Sequence, residues 1–73
     1  MQTFYITNER KGPGRYSYYR DEYRRESSRI TKYNCHRYKI LTDVECGWEE
    51  EEIAEKSWMI GDASMPDWLK DFV

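Results

Sequence analysis

Seventy-three residues with a net charge of −2 and 38% hydrophobic content make one small domain with a thin core. No apolar run approaches the ~20 residues that span a bilayer, and "MQTFYIT" lacks a basic region followed by a long apolar one. The expectation is therefore one soluble cytoplasmic unit over residues 1–73, with no membrane partner.

"QTFYIT" (2–7) alternates as a strand does. "NERKGPG" (8–14) carries a strong Gly-Pro-Gly turn signal. "RYSYYR" (15–20) reads as a second strand, with Tyr16 and Tyr18 on one face and Tyr19 on the other. The two make a hairpin with a long loop. "DEYRRESSR" (21–29) fits a strand end, a loop or a short helix equally. A third strand is predicted over "YKILTDV" (38–44), reaching back toward Ile30 with a bend at Asn34.

After Gly47, "WEEEEIAEKSWMIG" reads as a helix. Four Glu occupy its first turn, where the macrodipole favours them, and Gly61 suits its end. Its apolar stripe is poor, so a strand over Lys56–Ile60 competes with it. "SMPDWLKDFV" reads as a short terminal helix capped at Ser64, with Trp68, Leu69 and Phe72 on one face docking on the sheet. The expected fold class is α+β: an antiparallel sheet of about three strands, the N-terminal hairpin plus a strand near 36–44. One or two C-terminal helices pack it.

Charge is sorted along the chain. Residues 1–40 hold ten Lys/Arg and four Asp/Glu; residues 41–73 hold two Lys and ten Asp/Glu. All seven Tyr lie at or before Tyr38, and Trp48, Trp58 and Trp68 follow it. The scarce aliphatic residues require part of this aromatic set to fill the core. The bland reading is a basic sheet covered by an acidic helix, with Arg stacked on Tyr and paired with Glu.

The chemical motifs are weak. Cys35, His36 and Cys46 are three candidate zinc ligands, but structural zinc takes four, and adjacent residues on a strand face opposite ways. Two cysteines do not make a disulfide scaffold; a single bridge and two free thiols both fit. No nucleophile has a positioned base, and a Glu run at a helix start is ordinarily solvated. The expectation is no enzyme, no metal and no cofactor.

Binding remains. Trp, Tyr and Arg dominate interface hot spots and supply seventeen of the residues here, and separated charge steers encounter. The expected partner is a larger protein. The expected contacts are Arg10, Lys11, Arg15, Tyr19, Arg24 and Arg25, with Glu49, Glu50, Glu51 and Glu52 as a second patch. In length and composition the chain resembles small phage-encoded proteins that bind and inhibit or redirect a host enzyme. That resemblance implies a regulator of a nucleic-acid-handling enzyme such as RNA polymerase or a nuclease. Two alternatives stand beside it. One is a single-stranded nucleic-acid binder using the Arg/Tyr-rich sheet; the absence of an RNA-recognition signature and the acidic half weigh against it. The other is a structural accessory subunit.

Overall fold

The computed structural model describes residues 2–41 and 46–72. Four strands run in chain order across one antiparallel sheet: β1 (Gln2–Lys11), β2 (Ser17–Glu26), β3 (Arg29–Leu41) and β4 (Cys46–Met59). A single turn of helix, α1 (Asp67–Lys70), follows. At ~3.4 Å per residue, the 14 residues of β4 account for most of the 51 Å long dimension of the molecule.

The expected α+β fold packed by helices is therefore overturned. The N-terminal hairpin is present, but β1 runs on through Lys11, and the ambiguous "DEYRRESSR" belongs largely to β2. A two-residue turn at Ser27–Ser28 joins β2 to β3, with Ser27 in the left-handed region at φ 56°. Positions 42–44 of the predicted third strand lie outside the described residues.

The largest correction is the predicted helix after Gly47, which is strand β4 throughout. Helix propensity is a weak prior that tertiary contacts override, and β3 and β2 offer cations beside these glutamates. Register pairs Arg37 with Glu50 and Cys35 with Glu52, and Arg24 of β2 reaches across to Glu52 at 2.7 and 2.8 Å. As a strand the segment gains charge partners and cross-strand packing on β3 that an isolated helix would lack. A bulge completes the account. Lys32 faces Lys56 while Tyr33 faces Ala54, so Glu55 is an extra residue. It shifts the alternation by one and turns Trp58, rather than Ser57, toward the core.

The core occupies one end of one face. Tyr23, Ile30 and Trp58 rise from β2, β3 and β4; Met65 and Leu69 come down from the returning C-terminal segment; Phe4, Tyr5 and Ile60 pack around them. Gly61, at φ 94°, makes the reversal that sends the chain back over the sheet. Leu69 is fully buried, whereas Trp68 and Phe72 are half exposed and lean on Tyr5 at 5.5 and 4.9 Å between ring centres. The terminal helix does dock, but its first residue follows Pro66, and Ser64 binds Asp62 instead of capping it.

Candidate interaction face

Register assigns side chains to two faces. The helix face carries the core, then Asp21, Tyr19 and Ser17 on β2 with Asn34, His36 and Tyr38 on β3. The open face carries Tyr18, Arg20, Glu22 and Arg24 on β2, Tyr33, Cys35, Arg37 and Lys39 on β3, and Trp48, Glu50 and Glu52 on β4.

The middle of the open face is a closed electrostatic cluster. Glu22 is buried between Arg20, at 3.5 Å, and Arg24, which bonds it directly. Arg20 also bonds Glu50, and Arg24 lies over the Tyr33 ring at 4.3 Å. Burial works against the Glu22 charge, but hydrogen bonds from Arg24 and the Cys35 thiol, together with the arginine charges, hold its carboxyl below the usual range. The Glu52 carboxyl is lowered chiefly by its bonds from Arg24. Basic front and acidic back thus meet in this cluster, and again where Lys32 meets Glu55 at 3.1 Å.

Cys35 belongs to the same cluster. It is fully buried and donates to Glu22 at 3.1 Å. Burial first, and the Glu22 hydrogen bond second, push the thiol up to about 12. Glu22, Cys35 and Glu52 bring three donor atoms within 4.8 Å of one another, a grouping that differs from Cys35, His36 and Cys46, the set weighed from the sequence and set aside. Both carboxylates already carry guanidinium groups, and the thiol holds its proton, so the set suits arginine better than a metal ion. Cys35 should accordingly resist alkylation in the native protein and react only on unfolding. Peptide mapping after iodoacetamide at pH 8, with and without urea, checks this; rapid native labelling of Cys35 would contradict the burial.

Next to this cluster the open face changes character. Trp48 and Tyr18 are 43% and 44% exposed, with ring centres 6.1 Å apart, and Tyr16 meets Trp48 edge-on at 6.3 Å. Arg37 lies over the Trp48 ring at 4.6 Å, and Lys39 lies over Tyr16 at 5.1 Å. Rings and cations interleave there in one layer of sheet. A cleft of about 440 Å³ opens beside them, lined by Glu9, Arg10 and Lys11 of β1, Tyr18, Tyr19 and Arg20 of β2, and Arg37 of β3.

On the helix face, Tyr19 stacks on His36 at 4.2 Å, His36 Nε2 meets Ser17 Oγ at 2.6 Å, and Tyr38 donates to Glu51 at 3.4 Å. This half is aromatic, with Glu51 at its rim and Arg10 over the Tyr19 ring at 5.3 Å.

The expected contact residues are divided by this arrangement. Arg10, Lys11 and Tyr19 come together at the cleft. Arg15 sits in the β1–β2 turn, where it lines a shallow hollow with Tyr16 and Tyr38. Arg25 is exposed near the β2–β3 turn and bonds the Ser27 carbonyl at 3.1 Å. Arg24 is tied into the charge cluster with a side chain only 14% exposed. The four glutamates do not form one patch: Glu50 and Glu52 face the arginines, while Glu49 and Glu51 face the other way. Tyr16, Tyr18, Arg37, Lys39 and Trp48 were not among the expected contacts. The alternation of "RYSYY" put Tyr16 and Tyr18 on one face, but only the register joins positions 18, 37 and 48.

Among the described residues, no helix is long and apolar enough to cross a membrane. Comparison with protein-family models, with characterised proteins and with solved structures finds no match to this chain.

Proposed function

We propose that this chain is a small non-enzymatic protein-binding module, a regulator or inhibitor that engages a larger enzyme, one that handles nucleic acid. The observation that carries the reading is the uncovered end of the open face. There Trp48 and Tyr18 stand nearly half exposed beside Arg37, Lys39 and Lys11. Trp, Tyr and Arg in contact, exposed on a rigid sheet, are the residue types that dominate hot spots. Sheet pairing holds their backbone in place, so little ordering is needed on binding.

Affinity capture from a lysate of the natural cell tests this, with Tyr18→Ala plus Trp48→Ala as the comparison. A partner held at moderate salt and lost from the double variant is expected. Retention of the same partner by the double variant, or no specific partner at all, would count decisively against it. Both rings are partly exposed, so the variant should keep the wild-type circular dichroism spectrum.

One observation favours single-stranded nucleic acid as a second reading. Arg20 and Arg24 already hold Glu50 and Glu52, the acidic side chains of β4 that share the open face with the rings. Bases could stack on Tyr18 and Trp48 while Arg37 and Lys39 met phosphate. Fluorescence titration with an oligonucleotide at two salt concentrations separates the readings: affinity falling steeply with salt belongs to the second.

A further inference from the structure

We propose that the cleft between β1, β2 and β3 is a carboxylate-binding site that takes an aspartate or glutamate side chain presented by a protein partner. The inference rests on the protein-binding reading above and names the chemistry that partner must carry.

The site is a row. Lys11, Tyr18 and Arg37 are direct cross-strand neighbours on β1, β2 and β3. The next position along that row, on β4, is Glu50. Glu50 would be the natural partner of Arg37, but it turns to Arg20. Arg37 is left over the Trp48 ring and forms no ion pair among the described residues, and neither does Lys11. Two cations therefore flank an exposed tyrosine on one rigid row, beside a cleft of about 440 Å³ whose lining adds Arg10 and Arg20 and a single acid, Glu9, so that cations outnumber it four to one.

The same face shows what this geometry accepts. Arg20 carries the Glu50 carboxylate, and Arg24 grips Glu52 through two N–H contacts at 2.7 and 2.8 Å. Arginine forks match carboxylates in this way. Arg37 extends that series by one position and holds no acid of its own. A carboxylate from outside would complete the ladder.

Size selects a carboxylate over a nucleic-acid backbone. Strands lie ~4.8 Å apart, so the row from Lys11 to Arg37 spans about 10 Å. That accommodates one or two acidic side chains. A longer run of phosphates would continue past Glu9 on one side or the acidic β4 edge on the other.

The test uses the whole 73-residue chain, labelled with ¹⁵N, and three probes: a capped peptide bearing four glutamates, a ten-nucleotide oligothymidine, and inorganic phosphate. The peptide should shift the backbone amides of Lys11, Tyr18 and Arg37 to saturation. Lys11→Ala plus Arg37→Ala should weaken it about tenfold, as loss of charge-assisted bonds implies. Arg37→Lys, which keeps charge but not the fork, should weaken it less. Arg15→Ala plus Arg25→Ala removes equal charge elsewhere and should change the affinity little.

Four outcomes overturn the inference. They are unsaturable or absent shifts, tighter oligonucleotide binding at the same amides, phosphate binding as tight as the peptide, and an equal loss in the Arg15/Arg25 control. The capture experiment decides the binding-module reading separately. A partner that depends on Tyr18 and Trp48 but ignores Lys11 and Arg37 removes only the cleft.

Discussion

Replacing Arg24 with alanine should destabilise the protein by about 3 kcal/mol at neutral pH, the cost of stranding a buried charge after removing its partner. Arg24 and Glu22 have side chains only 14% and 9% exposed, and they bond directly. Taking the guanidinium away leaves the Glu22 carboxylate in a dry site with Arg20, at 3.5 Å, as its remaining cation. The bonds to Glu52 add less, because that carboxylate is 39% exposed and water screens it. A domain of this length is held by roughly 4–11 kcal/mol, so much of the margin would go.

The pH dependence follows from the direction of the carboxyl shift. Glu22 is held below its ordinary value of 4.5 in the folded protein. Its contribution is therefore present above about 4.5 and is lost as pH falls through the depressed folded value. In the Arg24→Ala protein the cost of burial is opposed by one cation fewer, so the Glu22 carboxyl rises. A protonated Glu22 needs no guanidinium. The difference between wild type and variant should thus shrink steadily from pH 7 to pH 3. Urea denaturation at several pH values measures it. A penalty that stays constant with pH would mean that Arg24 acts through its packing on Tyr33 and not through charge.

That cluster also shows what the sequence could and could not reveal. The strands of the first hairpin were legible because Phe4, Ile6 and the tyrosines alternate, and period-two alternation is a local signal. β4 was not. "EEEE" after Gly47 satisfies every rule for a helix start, and its cross-strand cations, Arg20 and Arg24, lie about thirty positions away. The misfit of Trp58 and Met59 to the stripe that Ile53 and Ile60 would make on a helix was the available clue, and it is what let a strand over Lys56–Ile60 compete. The Glu55 bulge disguised it further, because alternation holds through Ala54 and then resumes one residue out of phase at Lys56. The candidate site divides in the same way. Arg10, Lys11 and Tyr19 stand out by local density of charge and rings. Arg24 shares that density but turns into the sheet, where Glu22, two positions away, and Glu52 claim it. Tyr18, Arg37 and Trp48 meet only through strand pairing, which composition does not encode.

Leu69→Ala should cost about 3 kcal/mol, within the range for a buried leucine cut to alanine, while Ile53→Ala should stay within about 0.5 kcal/mol. Both are branched aliphatic residues of one size, and the contrast isolates burial as the cause. Leu69 is fully buried, whereas Ile53 is 66% exposed on β4. Leu69 also carries a structural burden that its area alone understates. α1 is four residues long with no side-chain cap, and a helix of one turn does not persist unaided. Its place depends on Leu69 and Met65 meeting Tyr23, Ile30 and Trp58. With Leu69 shortened, the C-terminal segment should loosen before the sheet does. The Tyr5 and Tyr23 rings that touch Trp68, at 5.5 and 5.0 Å, would then gain solvent. Native-state hydrogen exchange reads this directly: amides of residues 65–72 should exchange faster in Leu69→Ala while those of Cys35 and Arg37 keep most of their protection. Uniform acceleration across both regions would mean that segment and sheet unfold as one unit. In that case the five-residue core, and not the ion-pair cluster, would set the stability of the whole sheet.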